Sequence, residues 1–212
     1  APDSTNHTAG ANMSAYAGTQ GNFPTVYDPA TGLPQGPLHR HPRGLHLGQR
    51  VSREAEADIG PDEDPSNNLN PAANVANLDR GDDGIRPGQL GFQGCQPATF
   101  QASVFAHPAM LAKLQELGRE KVYINSWIDG IDDAGNAGGD GDWADEMQCP
   151  SGPAPEHIVI DFPVDVASLV GGNNVINVTT SGPVPWNQQS EAWFRITLSE
   201  EESVKLSGKS YG

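Results

Sequence analysis

Carboxylates dominate the chemically active side chains of this chain, and they are crowded. Three windows, 54–64, 79–83 and 129–146, hold sixteen of the twenty-seven Asp and Glu residues, whereas residues 1–50 contain two, Asp3 and Asp28. Anions packed so closely repel one another unless cations sit between them. The densest window, Trp127–Glu146, reads WIDGIDDAGNAGGDGDWADE, with seven carboxylates, five glycines and neither Lys nor Arg. Calcium takes about six to eight oxygen ligands, which short Asp side chains and backbone carbonyls supply once glycines let the chain wrap an ion. The window is therefore expected to be a calcium loop, with Asp129, Asp132, Asp140, Asp142 and Asp145 as ligands.

The other two windows extend the same reading. Glu54, Glu56 and Asp58 alternate, so an extended segment puts them on one face, and Asp62 and Asp64 follow after Gly60-Pro61. These five are expected to bind calcium, with Asn67 and Asn68 adding amide oxygens. The third window, Asp79-Arg80-Gly81-Asp82-Asp83-Gly84, contains an Arg-Gly-Asp triplet. That triplet is too common to imply adhesion, and Asp82 and Asp83 are expected to share an ion with another loop. Asp140-Gly141-Asp142 matches half of an EF-hand loop but lacks the bidentate Glu at its twelfth position, and the Gly-rich stretch misses the β-roll repeat by one residue.

Other chemistries fit less well. No Gly-x-Ser-x-Gly or other nucleophile context is present. A glycosidase needs one acid and one base, whereas these carboxylates have many like neighbours in Gly-rich loops. No catalytic residue is therefore assigned. His39-Arg40-His41-Pro42-Arg43-Gly44-Leu45-His46 reads first as a cationic patch for an acidic surface, and only secondarily as a zinc site through its histidines. Trp127, Trp143, Trp186 and Trp193 lie at strand-like positions, where core packing is a commoner role than a sugar platform.

The net charge of −15 excludes an ordinary nucleic-acid binder. No apolar run is long enough to insert into a membrane. Cys95 and Cys149 are the whole thiol inventory and flank a strand-helix-strand region, so they are expected to pair. Asn6, Asn12 and Asn177 begin glycosylation sequons, a weak signal by itself.

With 25 Gly, 18 Pro and a 36% hydrophobic share, the chain favours short strands and long loops over helices. Residues 1–50 are expected as a Gly/Pro-rich arm or ordered loops, and 51–212 as the domain proper. Strands are predicted at Thr99–His107, Lys121–Asp129, His157–Val164, Asn174–Thr180 and Ala192–Ser199, where β-branched and aromatic residues gather. Within the second, Val122, Ile124, Ser126 and Ile128 face one way, and Tyr123, Asn125, Trp127 and Asp129 the other. A single short helix is predicted at Pro108–Leu117, with Pro at its start and Gly118 at its stop. The expected fold is mostly β: an antiparallel sandwich, jelly-roll or immunoglobulin-like, with long Gly/Pro/Asp-rich loops.

Four stretches carry a resemblance: APDS at 1–4, LGQRVSREAEAD at 47–58, DRGDDGI at 79–85 and WID…GDWAD at 127–145. Together they resemble the GEVED-type domain of large bacterial surface proteins. That resemblance implies an extracellular β-sandwich module whose acidic loops suit calcium and which has no catalytic residues to carry over. Two departures stand out. Ala134–Gly139 lengthen the ion loop, and the Gly-Asp that usually precedes Ala-Pro-Asp-Ser is missing. Joining Gly212 through one Asp to Ala1 would complete that opening string, which implies one unit of a polymer or tandem protein. The expected function is a bacterial extracellular or cell-surface structural or adhesive module that binds Ca2+. Its partners would be neighbouring copies of itself or adjacent domains. The alternative is a carbohydrate-binding module of a secreted enzyme, with glycans as partners.

Overall fold

The computed structural model describes residues 44–48, 84–85, 90–132, 134–136, 145–186, 192–200 and 202. Among them run eight strands and one α-helix: β1 (Leu45–Leu47), β2 (Thr99–Ala106), α1 (Pro108–Glu116), β3 (Lys121–Asp129), β4 (Glu146–Cys149), β5 (Gly152–Pro155), β6 (His157–Asp165), β7 (Gly172–Thr179) and β8 (Trp193–Ser199). They form two three-stranded sheets, β1-β2-β7 and β6-β3-β8, and a two-stranded ribbon, β4-β5. Every strand pairing is antiparallel.

The five expected strands are all present, and alternation explains their burial. On β2, Phe100, Ala102, Val104 and Ala106 are buried, while Thr99 and Gln101 face outward. Outward residues pair across the strands: Thr99 with Thr179, and Gln101 with Asn177. On β3, Val122, Ile124 and Ile128 enter the core as expected. One apolar cluster takes residues from both sheets, including Phe100, Val104 and Val178 of the first and Ile124, Ile158 and Val164 of the second. A ring cluster bridges them: Phe92, Phe100 and Phe194 have centroids 5.9, 5.6 and 5.5 Å apart. The two buried rings, Phe92 and Phe100, each contribute about 1.5–3 kcal/mol through lost water contact.

The helix is set by its ends. His107 Nδ1 accepts the Ala109 N–H as an N-cap, Pro108 occupies the first turn, and Gly118 adopts φ +68° just past the end. Leu111 and Leu114 seat it on the core.

Three short strands were not legible in sequence. β5 contains Gly152, Pro153 and Pro155, which argue against a strand; a two-stranded ribbon tolerates them because it leaves N–H positions facing outward. β4 has no β-branched residue. β1 lies inside the region expected as an arm, yet Leu45–Leu47 pair with Val104–Ala106 and form an edge of the first sheet.

Cys95 and Cys149 form a disulfide, with Cα atoms 5.4 Å apart across a sequence separation of 54. It fastens the segment before β2 to the end of β4. Cys95 holds φ +59° and donates its N–H to Val184 O at 2.9 Å.

Candidate functional site

β3 decides what stands at the site. Its second face carries Tyr123, Asn125, Trp127 and Asp129, and the last three are buried, as firmly as the core face. Asp129 ends the strand with no exposed surface. On neighbouring β8, Arg195 lies opposite Trp127 and is 5% exposed. Burial pulls the Arg195 guanidinium down to about 9, and the Asp129 carboxylate works against that fall, so Arg195 stays a cation at neutral pH.

At Gly130 a Cβ would stand 3.1 Å from Pro185 O and 3.4 Å from Trp186 Cδ1, so a side chain there would require these neighbours to give by a few tenths of an ångström. The Gly130 and Ile131 N–H groups donate to Glu156 Oε1 at 3.0 and 3.4 Å. Glu156 sits between β5 and β6, fully buried, and its backbone holds both ends of the acidic loop. Its N–H donates to Asp145 O at 2.9 Å, and its carbonyl accepts from Ile128 N at 3.0 Å. Glu156 Oε2 is buried and has no hydrogen-bond partner among the described residues. Burial, then Asp129, then Asp145 push this carboxyl up to about 9 against the two N–H bonds, so it carries a proton at neutral pH.

The expected ligands divide by position. Asp129 and Asp145 are brought to Glu156, close enough for their charges to act on it, and each has a buried carboxylate oxygen. Asp132 folds into a local turn instead. Its Oδ1 accepts Ala134 N and Asn136 N at 3.0 and 2.7 Å, and its Oδ2 accepts Asn136 Nδ2 at 3.0 Å. Those bonds from Asn136 and Ala134 hold its carboxyl below the usual range. Asp140, Asp142, Glu54, Glu56, Asp58, Asp62, Asp64, Asp82 and Asp83 lie outside the described residues, as do Asn6 and Asn12. Among the described residues, no three His, Cys, Asp or Glu side chains are grouped closely enough to hold a metal ion on their own.

Glu156 and Arg195 were not picked out in the sequence, though each left a trace. Glu156 is the lone carboxylate in residues 150–160, and Arg195 interrupts the apolar run Trp193–Leu198. An Arg flanked by inward-facing Phe194 and Ile196 needs a buried anion on the opposite face.

A second polar group adjoins the first. Asn125 Oδ1 accepts Asp161 N at 2.9 Å and lies 2.9 Å from His157 Nε2, while Asn125 Nδ2 donates to Asp161 Oδ1 at 3.0 Å. The His157 ring stacks on Trp127 with centroids 4.3 Å apart. Burial draws the imidazole down to about 4, against the pull of Asp161, so His157 is neutral at pH 7. Trp127 is thus committed to internal packing and is unavailable as a sugar platform. Trp186 is half-buried, and Trp143 and the Trp193 side chain lie outside the described residues. His46, the described member of the proposed histidine cluster, stacks on Phe105 at 4.7 Å. Asn177 stands exposed on the outer face of β7, its Oδ1 accepting from Gln101 Nε2 at 3.3 Å.

No described helix is long and apolar enough to cross a membrane. Comparison with protein-family models, with curated proteins and with solved structures finds no match.

Proposed function

We propose that this chain is an extracellular, calcium-binding structural or adhesive module of a bacterial surface protein or filament, and that it performs no catalysis. The observation that carries the reading is the withdrawal of Asp129 from water at the head of the acidic loop, with the carboxyls of Asp145 and Glu156 acting on each other there. Asp129 acts on the buried Arg195 guanidinium, and Asp129 and Asp145 both act on Glu156. A buried anion in excess is costly by several kcal/mol unless a counter-charge or proton balances it. The seven carboxylates and five glycines of Trp127–Glu146 offer a hard cation more oxygens than a proton could use. The disulfide between Cys95 and Cys149 agrees with an oxidising compartment, as the extracellular reading requires.

The test is thermal unfolding of the full chain in calcium and in chelator, with elemental analysis of the purified protein. A cation bound only by the folded state stabilises by about 2.7 kcal/mol at a hundredfold excess over Kd. Calcium in the purified protein and a lower Tm in chelator are the expected results. An unchanged Tm with no calcium found would reject the reading. Head-to-tail assembly through residues 1–38 belongs to the same proposal. If the chain lacking them forms the same oligomers as the intact one, that segment is not the connector.

A further inference from the structure

We infer that the open edge of β7 is a self-association surface, where β7 of a second copy of this chain pairs antiparallel with it. This contact is independent of the calcium reading and distinct from head-to-tail assembly through residues 1–38.

Hydrogen-bond alternation fixes which way the backbone of β7 points. Ser103 of β2 donates its N–H to Gly84 O at 2.7 Å and accepts from Gly48 N at 2.9 Å, so odd-numbered residues of β2 address the β1 side. The even-numbered Phe100, Ala102 and Val104 therefore address Val178, Ile176 and Asn174. Thr180 N, donating to Ala98 O at 2.9 Å, keeps the same phase. Asn173, Val175 and Asn177 consequently turn their N–H and C=O groups away from β2. β7 ends its sheet, and among the described residues no backbone bond from another element reaches these three. Their side chains are exposed as well, Val175 at 65%.

The other described edges carry features that discourage pairing. β1 has three residues, and β8 buries Arg195. β6 holds Pro163, Asp165 and Asp161, whose φ is +49°. The β4-β5 ribbon has Glu146, Pro153 and Pro155. Short strands, buried charges, prolines and kinks of this kind keep edges from joining. β7, GNNVINVT, runs eight residues without a charge or a proline. Exposed apolar side chains gather beside it. Val175 is on the strand, exposed Val170 donates its N–H to Asn174 Oδ1, and exposed Ile160 donates its N–H to Ser181 Oγ just past the strand.

A copy of the chain is the partner this edge fits. With a net charge of −15, two copies repel unless neutral surfaces meet. A basic partner would be drawn to the acidic windows instead. A two-fold axis near Val175 sets each outward N–H against a C=O of the same strand in the other copy, because an antiparallel edge complements itself. The product is a continuous sheet of order β1-β2-β7-β7-β2-β1.

The test is sedimentation equilibrium of the full chain and of Val175→Glu, Val175→Pro and Leu117→Glu. Wild type should dimerise, and more tightly as NaCl screens the repulsion. Val175→Glu sets like charges against each other across the axis and should raise the dimer Kd at least about tenfold. Val175→Pro removes an outward N–H without breaking a bond to β2 and should weaken the dimer likewise. Leu117→Glu adds the same charge at an exposed position away from β7 and should leave Kd near wild type. A wild type that is monomeric at every concentration and salt overturns the inference. So does a dimer that either Val175 variant leaves unchanged, or that Leu117→Glu weakens equally. Should both Val175 variants fail to fold, hydrogen exchange of the wild type decides. Protection of the Val175 and Asn177 amides that rises on dimerisation supports the edge, and protection that spares them overturns it.

Discussion

Replacing Arg195 by Met should destabilise the protein by about 3–5 kcal/mol, the usual cost of breaking a buried ion pair from one side. Arg195 is 5% exposed and Asp129 has no exposed surface, so water cannot take over from the lost partner. Electrostatics sharpens the loss. Asp129 already raises the pKa of Glu156, and without the guanidinium no described buried cation remains to offset it. Met fills most of the volume of the Arg stem, which keeps the cavity contribution small. For a chain of this size each kcal/mol lowers Tm by about 2–4 °C, so a fall of roughly 6–20 °C is expected. Urea unfolding followed by circular dichroism, in chelator and with the disulfide intact, gives the free energy directly. Asp129→Asn in the Arg195→Met background should cost less than the sum of the two single changes, because the second removes the anion stranded by the first. A loss below about 1 kcal/mol for Arg195→Met, or strict additivity in the double variant, would refute the buried-pair argument.

Reduction and alkylation of Cys95 and Cys149 should cost about 4 kcal/mol on the chain-entropy estimate for this loop length. Unfolding of reduced and oxidised protein measures it, and two free thiols on protein taken from its native compartment would contradict the pairing. His157 predicts a pH window. Its folded pKa of about 4 lies below the ordinary 6.5, so the unfolded chain binds the proton first and stability falls as pH drops from about 6.5 to 4. The ceiling is about 3 kcal/mol, reduced by the partial exposure of the ring. His157→Gln should flatten that segment of the stability–pH curve relative to wild type in chelator, and parallel curves would show that His157 does not cause the slope.

Local chemistry in the chain was enough to specify most of the strands and the helix. Alternation along 99–106 and 121–129, and Pro108 with Gly118 around an apolar stripe, depend on neighbours in sequence, and the structure follows them. The disulfide was equally legible, since two cysteines allow one pairing. β4 and β5 were not, because their pairing is a property of the ribbon, and Pro153 and Pro155 argue locally against it. The acidic windows announced that charge would gather, and Asp129 and Asp145 were among the residues named for it. Burial was the missing quantity. Sequence alternation placed Asn125, Trp127 and Asp129 on a second face, and only tertiary packing sealed that face from water. Glu156 stands 27 residues beyond Asp129 and Arg195 another 39 beyond Glu156, each in a different local setting. No periodicity links them. Each comes to act on Asp129 because β6, which follows Glu156 directly, and β8, which carries Arg195, flank β3 in one sheet.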